Sequence, residues 1–331
     1  MRLLIRLVFL VLLLLAGAAG ATWWWANQPL VLRTSPLDFR IVQGSSLRSA
    51  ISQMQDAGIE MHPLLMAALA RASKAETGIK AGSYAVVQGV TPQQLLGKLT
   101  RGEFTQGELT LVEGWSFKQL RQRLDRHPDL RHDTRDLNEV EIIARLGLKA
   151  ERLEGWLFPD TYLFDKHSSD LDLLARAVRA MQRRLDAEWA RRDEGLPYKT
   201  PHEALVMASI VEKETGRESD RGQIAAVFVN RLRRGMLLQT DPTVIYGLGE
   251  DYDGNLRKRD LLADTPYNTY TRAGLPPTPI AMPGMASLQA ALHPVASDAL
   301  YFVARGDGSS EFSRTLDEHN RAVNRYQRGG K

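Results

Sequence analysis

The sequence predicts an α+β protein in three parts: an apolar N-terminal segment, a small α+β module and a larger mixed α+β domain. Three observations carry that prediction. Strand-like alternation and capped helical runs follow one another without a regular βα repeat. A chain of 331 residues, 44% hydrophobic and 25% charged, has material for two folded domains. Ahead of them stands a charge-free run, Leu7 to Ala21, of nearly membrane-spanning length.

Arg2 and Arg6 precede that run and Trp23-Trp24-Trp25 follow it. Basic residues on one side and an aromatic belt on the other fit a transmembrane anchor over 1–25 with a cytoplasmic N-terminus. The competing reading is a cleaved signal peptide, since Ala19-Gly20-Ala21 resembles a cleavage site. Either reading exports the remainder. Residues 26–36 read as a linker.

The small module is expected over 37–103. Leu37 to Val42 alternates like a strand, and Ser45-Ser46 can cap a helix running through Met54. A second helix is expected over about 63–73, a strand-pair region punctuated by Gly82 over 79–87, and a short helix opened by Thr91-Pro92.

The large domain is expected over 104–331. It begins with an alternating strand, Glu108 to Glu113, and a helix capped by Ser116. A helix near 137–145, the aromatic turn Gly155 to Tyr162 and a long amphipathic helix from Asp170 follow. Next comes the run from Thr200-Pro201 to Gly216, apolar on every side between Ala204 and Val211, the mark of a buried helix. Near its end stand Glu212 and Glu214. At roughly 100° per residue they leave on nearly opposite faces. Small Ala208 and Ser209 leave room for a cleft beside Glu212, where apolar surroundings raise a carboxyl toward the pKa of a general acid. The competing reading is two structural carboxylates paired with Lys213 or Arg217.

A helix over 219–234 follows. Beyond Gly235, residues 238–247 and 266–270 read as loops rich in hydroxyl, amide and phenol groups, suited either to a sugar groove or to ordinary turns. A helix near 286–292, strands around 300–304 and 311–313, and a helix over 316–326 complete the chain.

Composition narrows the chemistry. There is no cysteine, and the seven histidines are scattered without ligand spacing, so neither a metal nor a thiol nucleophile is expected. Net charge is +4, and the arginine clusters at 183–184, 191–192, 231–234 and 257–259 lack interleaved aromatics. They read as solvated helix faces, not a nucleic-acid surface. No phosphate loop, dinucleotide fingerprint or nucleophile elbow is present, and no cofactor is expected.

Three longer stretches narrow the field further: Ala208 to Thr215, Val227 to Leu232 and Leu238 to Gly247. With Tyr267-Asn268-Thr269-Tyr270, Gly274 to Pro277, His293-Pro294 and, upstream, Lys80 to Tyr84, Glu113-Gly114-Trp115 and Glu154 to Tyr162, the chain resembles the endolytic murein transglycosylase (YceG-like) family over essentially its whole length. The resemblance implies an inner-membrane enzyme, its bulk periplasmic, that cuts peptidoglycan glycan strands internally and terminates their elongation. It also implies peptidoglycan synthases as partners, Glu212 as the catalytic residue, and a LysM-like module over 37–103. That module departs from a compact LysM by an extra helix before the Gly82 segment.

Within this resemblance Gln239, Thr240, Asp241, Tyr246, Tyr267 and Asn268 are the expected groove residues. No clear second acid accompanies Glu212, which favours a one-carboxyl mechanism leaving 1,6-anhydro-N-acetylmuramic acid ends. Two other classes stand against it. One is a non-catalytic peptidoglycan-binding or synthase-associated scaffold. The other is a pyridoxal-phosphate enzyme using Lys213, which has no phosphate-binding loop near it.

Overall fold

The computed structural model describes residues 2–329, and in the N-terminal helix the side chains at 2–4, 14, 15, 18 and 19 lie outside the described residues. Two compact units emerge, residues 1–108 with 163–168, and residues 109–162 with 169–331.

The first unit opens with α1 (Arg2–Ala26). Leu7 to Leu13 are exposed along it, and its end packs on α3 and α4, described below, with Ala26 buried. Among the described residues no helix is long and apolar enough to cross a membrane. The anchor expected over 1–25 falls partly on residues outside the description. In the stretch expected as a linker, Leu30 and Leu32 are buried and β1 (Val31–Leu32) pairs antiparallel with β3 (Ile59–Glu60).

Between those strands lie β2 (Leu37–Ile41) and α2 (Leu47–Asp56), whose N-cap Ser46 accepts the Ser49 amide. After β3 come α3 (Pro63–Ala72), β4 (Gly82–Val86) and α4 (Pro92–Arg101). Antiparallel β2 and β4 pair from Leu37–Val86 to Ile41–Gly82, and Phe39 stacks on buried Tyr84. The expected strand pair over 79–87 is thus one strand whose partner lies 45 residues earlier, a non-local pairing that alternation cannot show.

The chain continues through β5 (Gln106–Thr110), α5 (Phe117–Asp125), β6 (Leu130–Arg131), α6 (Glu139–Leu146), β7 (Thr161–Asp165) and β8 (Ser168–Ser169). Reciprocal capping boxes start α5 and α6, as Ser116 and Asn138 each bond the residue three ahead. The second unit is then built from α7 (Asp170–Ala190), α8 (Pro201–Glu214), α9 (Glu218–Arg233) and α10 (Asp241–Leu248). After these come α11 (Lys258–Leu262), α12 (Met285–Leu292), the hairpin β9 (Tyr301–Ala304) and β10 (Ser310–Ser313), and α13 (Leu316–Tyr326).

Helix α8 is the centre of that unit. Thr200 caps it by accepting the Glu203 amide, Pro201 occupies its first turn, and every residue from Ala204 to Val211 is buried. Helices α7, α9, α10 and α12 surround it. Ser209, fully buried, donates to the Val206 carbonyl at 2.7 Å and accepts the Ile280 amide at 3.0 Å. The helix ends at Glu214, and the extended residue Thr215 replaces the expected glycine stop at Gly216.

Of residues 238–247, expected as loop, those from Asp241 onward lie in α10. Asp-Pro reads as a turn, but proline at the first turn of a helix is equally at home, and Pro242 sits there.

Candidate active site

The two glutamates at the end of α8 do leave on different sides, and their surroundings differ in kind. Glu212 accepts the Gly284 amide at 3.0 Å and the Ser287 hydroxyl at 2.7 Å, at the start of α12. Glu113 lies against the same glycine: a β-carbon on Gly284 would sit 1.9 Å from its Oε1. Partial burial and the Glu212 charge both raise the Glu113 carboxyl.

Glu214 faces a cavity of about 600 Å³ lined by Arg231, Gln239, Thr240, Asp241, Tyr270 and Tyr301 among others. The Thr240 hydroxyl donates to Glu214 Oε1. Desolvation, reinforced by the charge of Asp241, pushes the Glu214 carboxyl up to about 7 against the opposing pull of Thr240 and Arg231. A carboxyl at that value is divided between acid and base at neutral pH, as general acid–base work requires.

The walls are held by the polar residues themselves. The Thr240 amide donates to Thr269 Oγ1 at 3.1 Å, and the Gln239 amide to the Thr269 carbonyl at 3.1 Å. Gln239 has φ of 51°, a left-handed conformation costly for a residue with a β-carbon. Arg231 spends its guanidinium on the carbonyls of Leu300, at 2.7 Å, and Leu238, at 2.8 Å, and lies 5.1 Å from the Tyr301 ring centre. The Tyr270 phenol donates to Asp241, and burial with that bond raises the phenol pKa.

Of the six expected groove residues, Gln239, Thr240 and Asp241 line this cavity. They meet Glu214, not Glu212. The other three serve elsewhere. Tyr246 donates to Glu154 at 3.2 Å and meets Tyr267 edge-on at 4.9 Å, and Tyr267 shares a 2.8 Å hydroxyl contact with Thr278. Asn268, 1% exposed, donates to the carbonyls of Asp260, Leu261 and Ala263 and so fastens its own loop.

Tyr270 and Arg231 were not expected at a site, although both stand in the stretches quoted for the resemblance. Glu154 was likewise missed. It is nearly fully buried, accepts the Phe117 amide and the Tyr246 phenol, and desolvation pushes it up to about 7. Among the described residues, no group of three or more His, Asp or Glu could hold a metal ion.

The premise that no second acid accompanies the first does not hold. Asp241 shares the Glu214 cavity, and Glu113 sits beside Glu212.

Known proteins agree over most of the chain. The endolytic murein transglycosylase of Bacillus subtilis is 36% identical over 277 residues, covering 76% of this chain and 74% of its own. Its Streptococcus pneumoniae counterpart is 28% identical, and the match covers 86% of this chain but 57% of that longer one. A crystal structure of a YceG-like protein from Listeria monocytogenes superposes with a TM-score of 0.56 at 32% identity, covering 87% of this chain and 98% of that one. The profile of the YceG-like family matches residues 39–325, so this chain belongs to the YceG-like family.

Proposed function

We propose that this protein cuts peptidoglycan glycan strands internally as a lytic transglycosylase, with Glu214 as the acid–base group. One observation carries the proposal: a desolvated carboxyl raised to about 7 opens on a polar cavity of ligand size. The endolytic murein transglycosylases among its relatives support the substrate and the type of bond broken. The role expected at Glu212 moves to Glu214, because the Glu212 carboxylate is engaged by Gly284 and Ser287, away from Gln239, Thr240 and Asp241.

Protonated Glu214 donates to the oxygen linking N-acetylmuramic acid to N-acetylglucosamine. As carboxylate it then takes the proton of the muramyl C6 hydroxyl, which attacks the anomeric carbon and closes the 1,6-anhydro ring. The nucleophile belongs to the substrate, so its effective concentration exceeds that of water. Thr240 fixes the rotamer of the acid, while Gln239, Asp241 and Tyr270 offer partners to sugar hydroxyls.

The second carboxylate in the cavity, Asp241, favours a rival reading. Two facing acids are also the layout of a hydrolase, in which water is activated or a covalent sugar forms. Digestion of purified strands in heavy-oxygen water separates the two. Unlabelled anhydro ends, one water lighter than hydrolysed ends, are expected, whereas labelled reducing ends overturn the ring-closing step.

The finer placement rests on α1. Arg2, Arg6, the exposed run Leu7 to Leu13 and exposed Trp23 and Trp24 support a single-pass anchor, with the remainder periplasmic and within reach of strand-extending synthases. N-terminal sequencing of the mature protein should return Met1, and a start at Thr22 would refute the anchor.

A further inference from the structure

A second cavity, of about 1010 Å³, lies in the same unit and takes no part in the acid–base scheme. Trp156 and His202 form one wall, their rings stacked at 5.9 Å with planes 12° apart. Around them stand Lys149, Glu151, Arg152 and Asp186. The side chains of Lys149, Glu151 and Asp186 make no hydrogen bond or ion pair among the described residues, and only Arg152 is committed, to Glu139 at 2.8 Å. Charges of both signs at the rim of one cavity, left without partners, do not match a neutral sugar, which asks for hydroxyl and amide partners. They match a short chain carrying both carboxylates and an ammonium.

The two cavities are neighbours through one loop. Tyr267 bonds Thr278 in the wall of the larger cavity, and Tyr270 lines the Glu214 cavity. Three residues of chain span at most roughly 10 Å.

We propose that the Lys149–Asp186 cavity receives the stem peptide of the strand being cut, so that the enzyme prefers peptide-bearing over bare glycan. This rests on the strand-cutting reading above and names its substrate more narrowly. A carboxylate of the stem meets Lys149, its free ammonium meets Glu151 and Asp186, and its methyl groups lie along Trp156. His202, which burial keeps on the neutral side, adds no competing charge.

The experiment uses the full chain in detergent, with intact strands and the same strands stripped of stems by an amidase. The quantity read is the ratio of kcat/KM on the two. The wild type should favour stem-bearing strands by about tenfold or more, the factor expected from one charge-assisted contact. The exposed-site variants Lys149→Glu and Asp186→Lys should each bring the ratio toward one. A wild type indifferent to stems, or variants that keep the wild-type ratio, overturns the proposal while leaving strand cutting intact. Failure to cut either strand overturns both.

Discussion

Glu212 and Glu214 stand two residues apart at the end of one helix, yet in the proposed scheme one is a tether and the other the acid. Both are partly buried and both accept hydrogen bonds, so neither burial nor bonding alone separates them. The difference is what they face. Glu212 is met by an amide and a hydroxyl at the start of α12, which suit a carboxylate. Glu214 has one hydroxyl partner, a neighbouring acid and an open cavity, and its carboxyl is raised to about 7, the basis of the acid role proposed for it.

Replacing the acid gives the largest effect. Glu214→Gln keeps shape and loses the proton, and strand cutting should fall by about 10²–10⁴. In the wild type, kcat/KM should decline above pH about 7, as the carboxyl that must be protonated ionises. A Glu214→Gln protein cutting at the wild-type rate would reverse the comparison outright.

A third carboxyl sharpens it. Glu154 is raised to about 7 by the same cause, desolvation, but it is locked under Phe117 and Tyr246. Its folded pKa lies above the unfolded value, so stability is greatest below about pH 4.5 and is lost as pH rises toward 7. Glu154→Gln does not titrate. Relative to wild type, its stability in urea should therefore rise between pH 4 and pH 8, by up to about 3 kcal/mol. An unchanged difference would mean that burial does not hold this proton. The comparison would then lose its control, a raised carboxyl that lines neither of the two cavities described above.

Most of the helices were legible in the sequence because their determinants are local, α10 and α11 being the exceptions. Thr200, Pro201 and the all-round apolar run mark α8 without knowledge of any neighbour. Helical azimuth also parted Glu212 from Glu214. What it could not tell was which side held the cleft. The smallness of Ser209 read as room, but the Ile280 backbone fills that room and takes its hydrogen bond. The Glu214 cavity is closed by residues 26 and more positions further on, at Thr240 and Tyr270, and by β9 and α13 beyond them. Nothing periodic announces such a meeting. Asn268 failed as a groove residue for a related reason, since an amide in a polar loop can serve the loop's own carbonyls as readily as a ligand.

On the tether side, Glu212→Gln keeps one acceptor and loses the charge that strengthens two bonds. It should cost about 1–2 kcal/mol of stability, read by urea unfolding, and leave strand cutting near wild type. A loss of cutting approaching that of Glu214→Gln would return the catalytic role to Glu212.

The smallest change makes the finest test. Gly284 has φ of −77°, open to any residue, so Gly284→Ala introduces no backbone strain. The three atoms nearest the new methyl position all belong to Glu113, whose Oε1 and Cδ lie 1.9 and 2.3 Å from it. Glu113 is solvent-exposed and its carboxylate is the far end of a flexible side chain, so it can swing aside. Surface rearrangements of this kind cost within about 0.5 kcal/mol, and moving one anion away from Glu212 recovers part of that. Stability and cutting should both stay close to wild type, the rate within about twofold. The variant therefore separates Glu113 from Glu212 without touching either. If cutting instead falls tenfold or more while the fold holds, the adjoining pair Glu113 and Glu212 is the working dyad, and the Glu214 cavity binds sugar without cutting it.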